Sequence, residues 1–280
     1  MTPLPIPGRG HVHTAATKAS GPSAGGTRVE FQNSKKEKLV GRFIDARSQE
    51  VVILCHGYAS TKDSPIIAHL AKELAGRQLS TLRFDFAGNG ESEGVFQFAN
   101  YMSEVQDLRC AVLHVREVLH KTVTAIVGHS KGGNVVLLYG AAFDDIPFIV
   151  NVAGRFDLTR GIVERYGEET IAKLQKLGQV EMEVRTDVGS KVKFMLTKQD
   201  LHERQSISMQ EACQKITIAE VLTVHGTEDQ TVPVEDAQEF SRCIRQHQLQ
   251  LVNGGDHNFK SPQHAEAAVK KIIAYISSGL

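Results

Sequence analysis

A serine hydroxyl becomes a strong nucleophile only with a base to take its proton, an acid to orient that base, and donors for the developing oxyanion. Gly128-His129-Ser130-Lys131-Gly132 offers the serine. The pentapeptide follows the apolar run Thr124–Val127 and leads into Gly133–Gly140, so it reads as strand, sharp turn and helix with Ser130 at the apex. Glycines on either side remove side chains where strand and helix backbones nearly collide, and the turn holds the serine strained with its oxygen exposed. Candidates for the other two parts lie at strand ends. Asp229 sits in His225-Gly226-Thr227-Glu228-Asp229, directly after an apolar strand, and His257 in Gly254-Gly255-Asp256-His257, after the last strand. The order serine, acid, histidine accompanies an elbow of this kind. Glu228 and Asp256 are the competing acids. In an extended loop Glu228 faces away from Asp229, and Asp256 adjoins the histidine too closely to reach the ring's far nitrogen with ease.

The same pentapeptide pattern occurs twice. Gly90-Glu91-Ser92-Glu93-Gly94 also reads G-x-S-x-G, but it lies among turn formers with no apolar helix directly behind it. Its two glutamates would oppose the negative charge that a reacting serine oxygen develops. Context therefore selects Ser130 and leaves Ser92 as a loop residue. Among the remaining polar residues, His56, His129 and His225 are expected to support loops, and Asp85 to brace the turn around Gly88. The Lys131 side chain is expected to pair with a lid or loop carboxylate.

The elements that must position these residues alternate. Thr27–Gln32 and Leu39–Ala46 read as an opening hairpin, followed by strands at Val51–Cys55, Ser80–Phe86, Val123–Val127, Phe148–Val152, Ala219–Val224 and Gln248–Val252. Helices are expected from Ser64-Pro65 onward, over Asn100–Leu119, behind Ser130, over Val234–Gln246 and over Pro262–Ile276. This alternation predicts an α/β fold, a mostly parallel twisted sheet with helices on both faces. Residues 155–215 break the rhythm and read as an inserted lid leaving the carboxyl end of a strand, where such sheets place their sites. Within it Phe156–Tyr166 and Glu168–Leu177 are expected as helices, Gln179–Arg185 and Lys191–Leu196 as short strands joined at Asp187-Val188-Gly189, and a short helix from Ser208, with Glu211 at capping-box spacing.

Bulk properties narrow the function classes. With 32 basic and 32 acidic residues among 280, no basic field invites nucleic acid, and no apolar run reaches the length of a membrane span. Cys55, Cys110, Cys213 and Cys243 match no zinc or redox spacing. Cys55, Cys110 and Cys243 fall in apolar patterns, so buried free thiols in a reducing compartment are expected. Residues 1–26 are rich in Pro, Gly, Ala, Ser and Thr and read as a disordered tail before the domain at 27–280. A cytoplasmic location is expected, with an organelle transit peptide in that tail as the alternative. No phosphate-cradling loop or metal-ligand cluster is evident, so no cofactor and no metal are expected.

Taken jointly, His56-Gly57-Tyr58, Arg83–Ser92, Gly128–Gly133, His225-Gly226 with Asp229 and Val232-Pro233, and Gly255-Asp256-His257 resemble the α/β-hydrolase superfamily. Within it the chain is similar to serine carboxylesterases that include cinnamoyl (feruloyl) esterases, and to monoacylglycerol-lipase-like and serine-aminopeptidase-like hydrolases. The resemblance implies Ser130 as nucleophile, His257 as base, Asp229 as its orienter, and the backbone N–H groups of Tyr58 and Lys131 as the oxyanion hole. It implies a small-molecule ester with an aromatic or short-to-medium acyl group, cleaved through an acyl-enzyme. Monoacylglycerol lipase, acyl thioesterase and aminopeptidase are the alternatives within the fold. A small-molecule receptor or scaffold with a vestigial triad is the alternative outside catalysis. Oligomeric state stays open.

Overall fold

Adjacent residues of one strand face two different cores. Val51, Ile53 and Cys55 pack into one apolar cluster, and Val52 and Leu54 into another, so their strand is buried on both faces. That is why it reads as an unbroken apolar run. The computed structural model describes residues 25–186 and 189–279, so nearly all of the expected 1–26 tail, and Asp187-Val188 of the expected turn, lie outside the described residues.

The strands are β1 (Thr27–Gln32), β2 (Lys38–Ile44), β3 (Glu50–Cys55), β4 (Ser80–Phe84), β5 (Thr122–His129), β6 (Phe148–Val152), β7 (Gln179–Arg185), β8 (Lys191–Thr197), β9 (Glu220–Gly226) and β10 (His247–Val252). The helices are α1 (Pro65–Gly76), α2 (Tyr101–Leu113), α3 (Lys131–Phe143), α4 (Ile162–Tyr166), α5 (Glu168–Leu177), α6 (Lys198–Ser206), α7 (Met209–Gln214), α8 (Val234–Cys243) and α9 (Pro262–Ser278). Eight strands form one sheet in the order β1-β2-β4-β3-β5-β6-β9-β10, with antiparallel pairing at β1–β2 and β2–β4 and parallel pairing from β4 onward. Helices α2, α3 and α8 cover one face and α1 and α9 the other. Against β3, β5 carries one extra residue: the register passes from Val123 to Ala125, and the bulge at Thr124 restores the alternation toward both cores.

Several boundaries differ from expectation. The helix expected over Phe156–Tyr166 is confined to Ile162–Tyr166. Its first half is held as loop: Phe156 N–H donates to Asp236, the Arg204 guanidinium donates to the carbonyls of Leu158 and Arg160, and Gly161 turns at φ 82°. The long helix after Asn100 is α-helical to Leu113 and finishes in a π-helical turn, His114–Val118. The helix expected to reach Gln246 stops at Cys243, because Ile244 turns extended and buries its side chain. Strand β4 ends at Phe84, where Asp85 N–H is taken by Val40 O. Helix α6 was not anticipated; Thr197 and Asp200 cap it reciprocally. Ser64 does precede α1, but its hydroxyl makes no capping bond and is buried without a partner. All four thiols are free, yet Cys110 and Cys243 are half-buried while Cys213, not counted among the apolar positions, is fully enclosed.

Between β6 and β9 the chain builds a separate layer, with β7 and β8 pairing as their own antiparallel ribbon. Ile162, Leu174, Phe194, Leu196 and Leu201 of this layer pack with Ala59, Phe96 and Phe98 into a third apolar cluster. Both ends of the layer are pinned to α3. The Asn134 amide brackets Arg155 through its N–H and C=O, and the Asp144 carboxylate accepts from the backbone N–H groups of Thr217, Ile218 and Ala219.

Candidate active site

Ser130 occupies the turn between β5 and α3 with φ 56° and ψ −119°, a region that costs a non-glycine residue roughly 1–3 kcal/mol. The strain is held from several sides. Ser130 N–H donates to Val152 O at 2.7 Å, and the turn fits only because its glycines lack Cβ atoms. A Cβ on Gly128 would lie 2.0 Å from Gly132 O, and one on Gly132 would lie 2.4 Å from His56 O.

The parallel strands β5, β9 and β10 end at the same edge of the sheet, with β6 between β5 and β9, and the loops that leave them converge. The Asp229 and His257 loops touch where Gly226 meets Gly255: a Cβ on Gly226 would lie 2.1 Å from Gly255 O. His257 Nδ1–H donates to Asp229 Oδ2 at 2.7 Å, which leaves Nε2 to accept from the Ser130 hydroxyl at 2.9 Å. Three residues separated by 127 and 28 positions thus form one hydrogen-bonded chain.

Asp229 is fixed independently of His257. Its Oδ1 accepts from the N–H groups of Thr231 and Val232, both at 2.8 Å, and His225 Nε2 lies 3.3 Å from Oδ2. Burial alone would raise its pKa, but the hydrogen bonds from His225 and His257 prevail and hold the carboxyl well below the usual range. It is therefore an anion facing an imidazole, suited to stabilising a positive charge there. Glu228 is exposed, and Asp256 accepts instead from Lys260 N–H.

The supporting histidines are each tied to a loop. His56 takes Phe86 N–H on Nε2 and donates from Nδ1 to Gly57 O at 2.8 Å. His129 Nε2–H donates to the carbonyl of His257 at 2.8 Å, and burial, aided by the neighbouring His257, pushes the His129 pKa down to about 4. Asp85 does more than brace a turn. It receives the backbone N–H and, at 2.6 Å, the buried ammonium of Lys62, which also reaches Glu91 at 2.6 Å. This cluster fastens the β3–α1 loop, which carries Tyr58, to the loop that carries Ser92. Ser92 itself donates to Asp85 O at 2.6 Å and accepts from Val40 N–H at 2.9 Å, far from the strained geometry of Ser130.

Tyr58 and Lys131 flank the serine. A Cβ on Gly57 would sit 3.1 Å from Ser130 Cβ, so the loop reaches Tyr58 in contact with the elbow. Lys131 is the first residue of α3, where an N–H has no acceptor within the helix and points toward the position of an anion. Its side chain does not reach a lid or loop carboxylate as expected. It turns back and pairs at 2.7 Å with Glu104 of α2, and also donates to Asn100. Both partners are buried, and burial raises the Glu104 pKa against the opposing pull of Lys131.

Two clefts meet at Ser130. One is lined by Tyr58, Lys131, Asn134, Arg155, Arg165 and Arg204 among others; the second is lined by Gly57, Ile66, His257, Phe259, Val184 and Thr186 among others. The insertion contributes to both. The arginines of the first cleft were not singled out from sequence, because Arg155, Arg165 and Arg204 lie in a segment whose charge reads as solvated surface. Among the described residues no group of His, Cys, Asp or Glu is arranged to hold a metal ion. No helix among them is long and apolar enough to cross a membrane.

Comparison with known proteins places this geometry in a family. Residues 46–206, more than half of the chain, match the serine aminopeptidase S33 family. The chain belongs to that family. Over 248 residues, 81% of this chain and 74% of the other, it is 26% identical to the uncharacterized protein YDL057W of Saccharomyces cerevisiae. A shorter stretch of 101 residues, 35% of each chain, is 35% identical to monoacylglycerol lipase of Mycolicibacterium smegmatis. Among solved structures, Est1E from Butyrivibrio proteoclasticus, determined with ferulic acid bound, superposes with a TM-score of 0.70 at 20% identity, covering 89% of this chain and 98% of its own. Mouse α/β hydrolase domain-containing protein 10 gives a TM-score of 0.72 at 19% identity, covering 91% of this chain and 100% of its own. The S33-family chain therefore has the α/β-hydrolase fold expected from its alternating elements.

Proposed function

We propose that the protein is a serine hydrolase that cleaves carboxylic esters through an acyl-enzyme. One observation carries the reading: the unbroken hydrogen-bonded chain from Ser130 Oγ through His257 to Asp229. His257 Nε2 takes the hydroxyl proton as Ser130 Oγ forms a bond to the ester carbonyl carbon. The tetrahedral oxyanion lies toward the backbone N–H groups of Tyr58 and Lys131. Collapse breaks the bond to the alcohol oxygen, which leaves with the proton from His257. Water, deprotonated by His257, then attacks the acyl carbon, the bond to Ser130 Oγ breaks, and the serine regains its proton as the acid departs. Asp229 balances the imidazolium in both halves and fixes the ring. Residues 155–215 act as a lid that shapes both clefts.

An ester fits better than a peptide with a free amino terminus. An aminopeptidase must hold an ammonium, whereas the first cleft presents arginines and no carboxylate among its lining residues. Aromatic or short-to-medium acyl groups are the acyl parts we put first, received where the two clefts meet at Ser130.

The test is a fluorophosphonate probe read by intact mass, together with turnover of nitrophenyl esters of increasing chain length. Wild type is expected to gain one adduct and to hydrolyse the short and medium esters, and Ser130→Ala to lose both. A wild-type protein that stays unlabelled and inactive, yet binds small ligands, would instead be a receptor on this fold.

A further inference from the structure

The first cleft is strongly and asymmetrically charged. Arg155, Arg165 and Arg204 line it together with Ser130. Arg155 and Arg165, joined by Arg160, continue into a neighbouring groove that shares Gly161 and Thr231 with the cleft. The nearby acids are Asp157, which faces Arg160 and Arg155, Asp236 and Glu164, three against four arginines, and none of them lines the first cleft. Asp236 is buried beside Arg155, accepts from Phe156 N–H, and lies 3.9 Å from Arg160; Glu164 is exposed in the outer groove. Among the described residues, no salt bridge is found for Arg155, Arg165 or Arg204. Arg204 is buried and spends its donors on the carbonyls of Leu158 and Arg160, Arg155 donates from one nitrogen to the Thr231 carbonyl, and Arg165 lies over the Tyr58 ring at 4.8 Å. Burial lowers the Arg155 pKa, and Arg204 and Arg165 add to that while Asp236 opposes it. Guanidinium groups gathered in a cleft and left without carboxylates suit an anion from outside, because their planar forks match a carboxylate and their mutual repulsion falls when one binds.

The position of His257 decides which half of the ester enters. Resting on the serine-hydrolase reading above, the alcohol oxygen must leave within reach of His257 Nε2. His257 lines the second, larger cleft and is absent from the lining of the first; Arg165 borders both clefts, Arg185 and Lys260 only the second, and Arg155 and Arg204 only the first. The alcohol thus belongs in the second cleft and the acyl chain in the first. We propose that this cleft receives an acyl chain ending in a carboxylate, so that the preferred substrates are half-esters of dicarboxylic acids.

The test measures kcat/KM for the monoethyl esters of succinate, glutarate, adipate and suberate against the matching ethyl ester amides, in which a neutral carboxamide replaces the distal carboxylate. At least one half-ester is expected to exceed its amide by about tenfold or more, the range for one charge-assisted hydrogen bond. Arg155→Gln and Arg165→Gln should pull that ratio toward one, Arg155→Lys and Arg165→Lys should restore part of it, and Arg165→Glu should lower it further. Arg204 is left intact because it is buried and its guanidinium holds two loop carbonyls; Arg155 holds one, that of Thr231, so Arg165→Gln, which breaks no such bond, is the deciding variant. Circular dichroism and fluorophosphonate labelling of each variant report on folding and on the nucleophile. Ratios of one or less across the series, with labelling intact, would overturn the anionic subsite and leave the hydrolase reading standing. Absence of labelling and turnover, with adipate still bound in calorimetry and lost in Arg165→Glu, would overturn the hydrolase reading and keep the subsite. Loss of all three overturns both.

Discussion

Two copies of one pentapeptide pattern sit in this molecule with opposite physics. Around Ser130 the serine carries the positive φ, 56°, and the glycines on either side keep ordinary backbone while clearing space for packed main chain. Around Ser92 the roles reverse: Gly90 and Gly94 carry positive φ, 53° and 101°, and the serine is relaxed. One hydroxyl faces an imidazole at the end of the parallel sheet; the other is consumed by a backbone carbonyl and an amide. A sequence pattern therefore specifies a nucleophile only when the elements on both sides force the strain onto the serine.

The sharpest way to break this contrast is to remove each hydroxyl. Ser130→Ala is expected to lower ester turnover by about 10⁴–10⁶-fold with little change in folding. Ser92→Ala should keep turnover and lose about 1–3 kcal/mol of stability in urea titration, as two buried partners go unpaired. Equal losses of turnover in both variants would erase the distinction. Next in size, Asp229→Asn should cost about 10³–10⁴-fold in kcat, since an amide cannot balance the imidazolium and disturbs the tautomer. That loss should appear chiefly in kcat and not in KM.

The glycines test the steric half of the comparison. Gly128→Ala puts a methyl 2.0 Å from a backbone oxygen and should cost about 3 kcal/mol or more, or displace the elbow with loss of fluorophosphonate labelling. Gly94→Ala meets nothing closer than 3.1 Å and should cost only the left-handed backbone, about 1–2 kcal/mol, without touching turnover. The smallest expected effect concerns acid. His129, beside the serine, and His247, paired with Thr223, are both held near pKa 4 by burial, below the ordinary 6.5. The unfolded chain takes up these protons first, so stability is full above about 6.5 and declines as pH falls toward 4. Melting temperature should drop by several degrees across that window, and His129→Asn should flatten the slope. A slope unchanged in that variant would assign the effect to other groups.

Sheet strands and the three converging residues were legible because their signals are local: continuous apolar runs for doubly covered strands, and loop residues directly after them. The insertion was less so. Arg204 reaching Leu158 and Arg160 is a contact across more than 40 positions that no periodicity records, and it unwinds the first half of an apparently helical stretch. Lys131 likewise found its partner on α2, since an elbow lysine at N1 faces whichever helix packs beside it. The cap of α6 was readable in Thr197 and Asp200, although aspartate in place of glutamate weakens the pattern.

Asn134 and Asp144, at opposite ends of α3, grip the departing and returning chain of residues 155–215. The inserted layer is thus moored at both ends to the helix that begins beside Ser130. On the hydrolase reading proposed above, changes in that layer would alter what is admitted while Ser130, His257 and Asp229 keep their alignment.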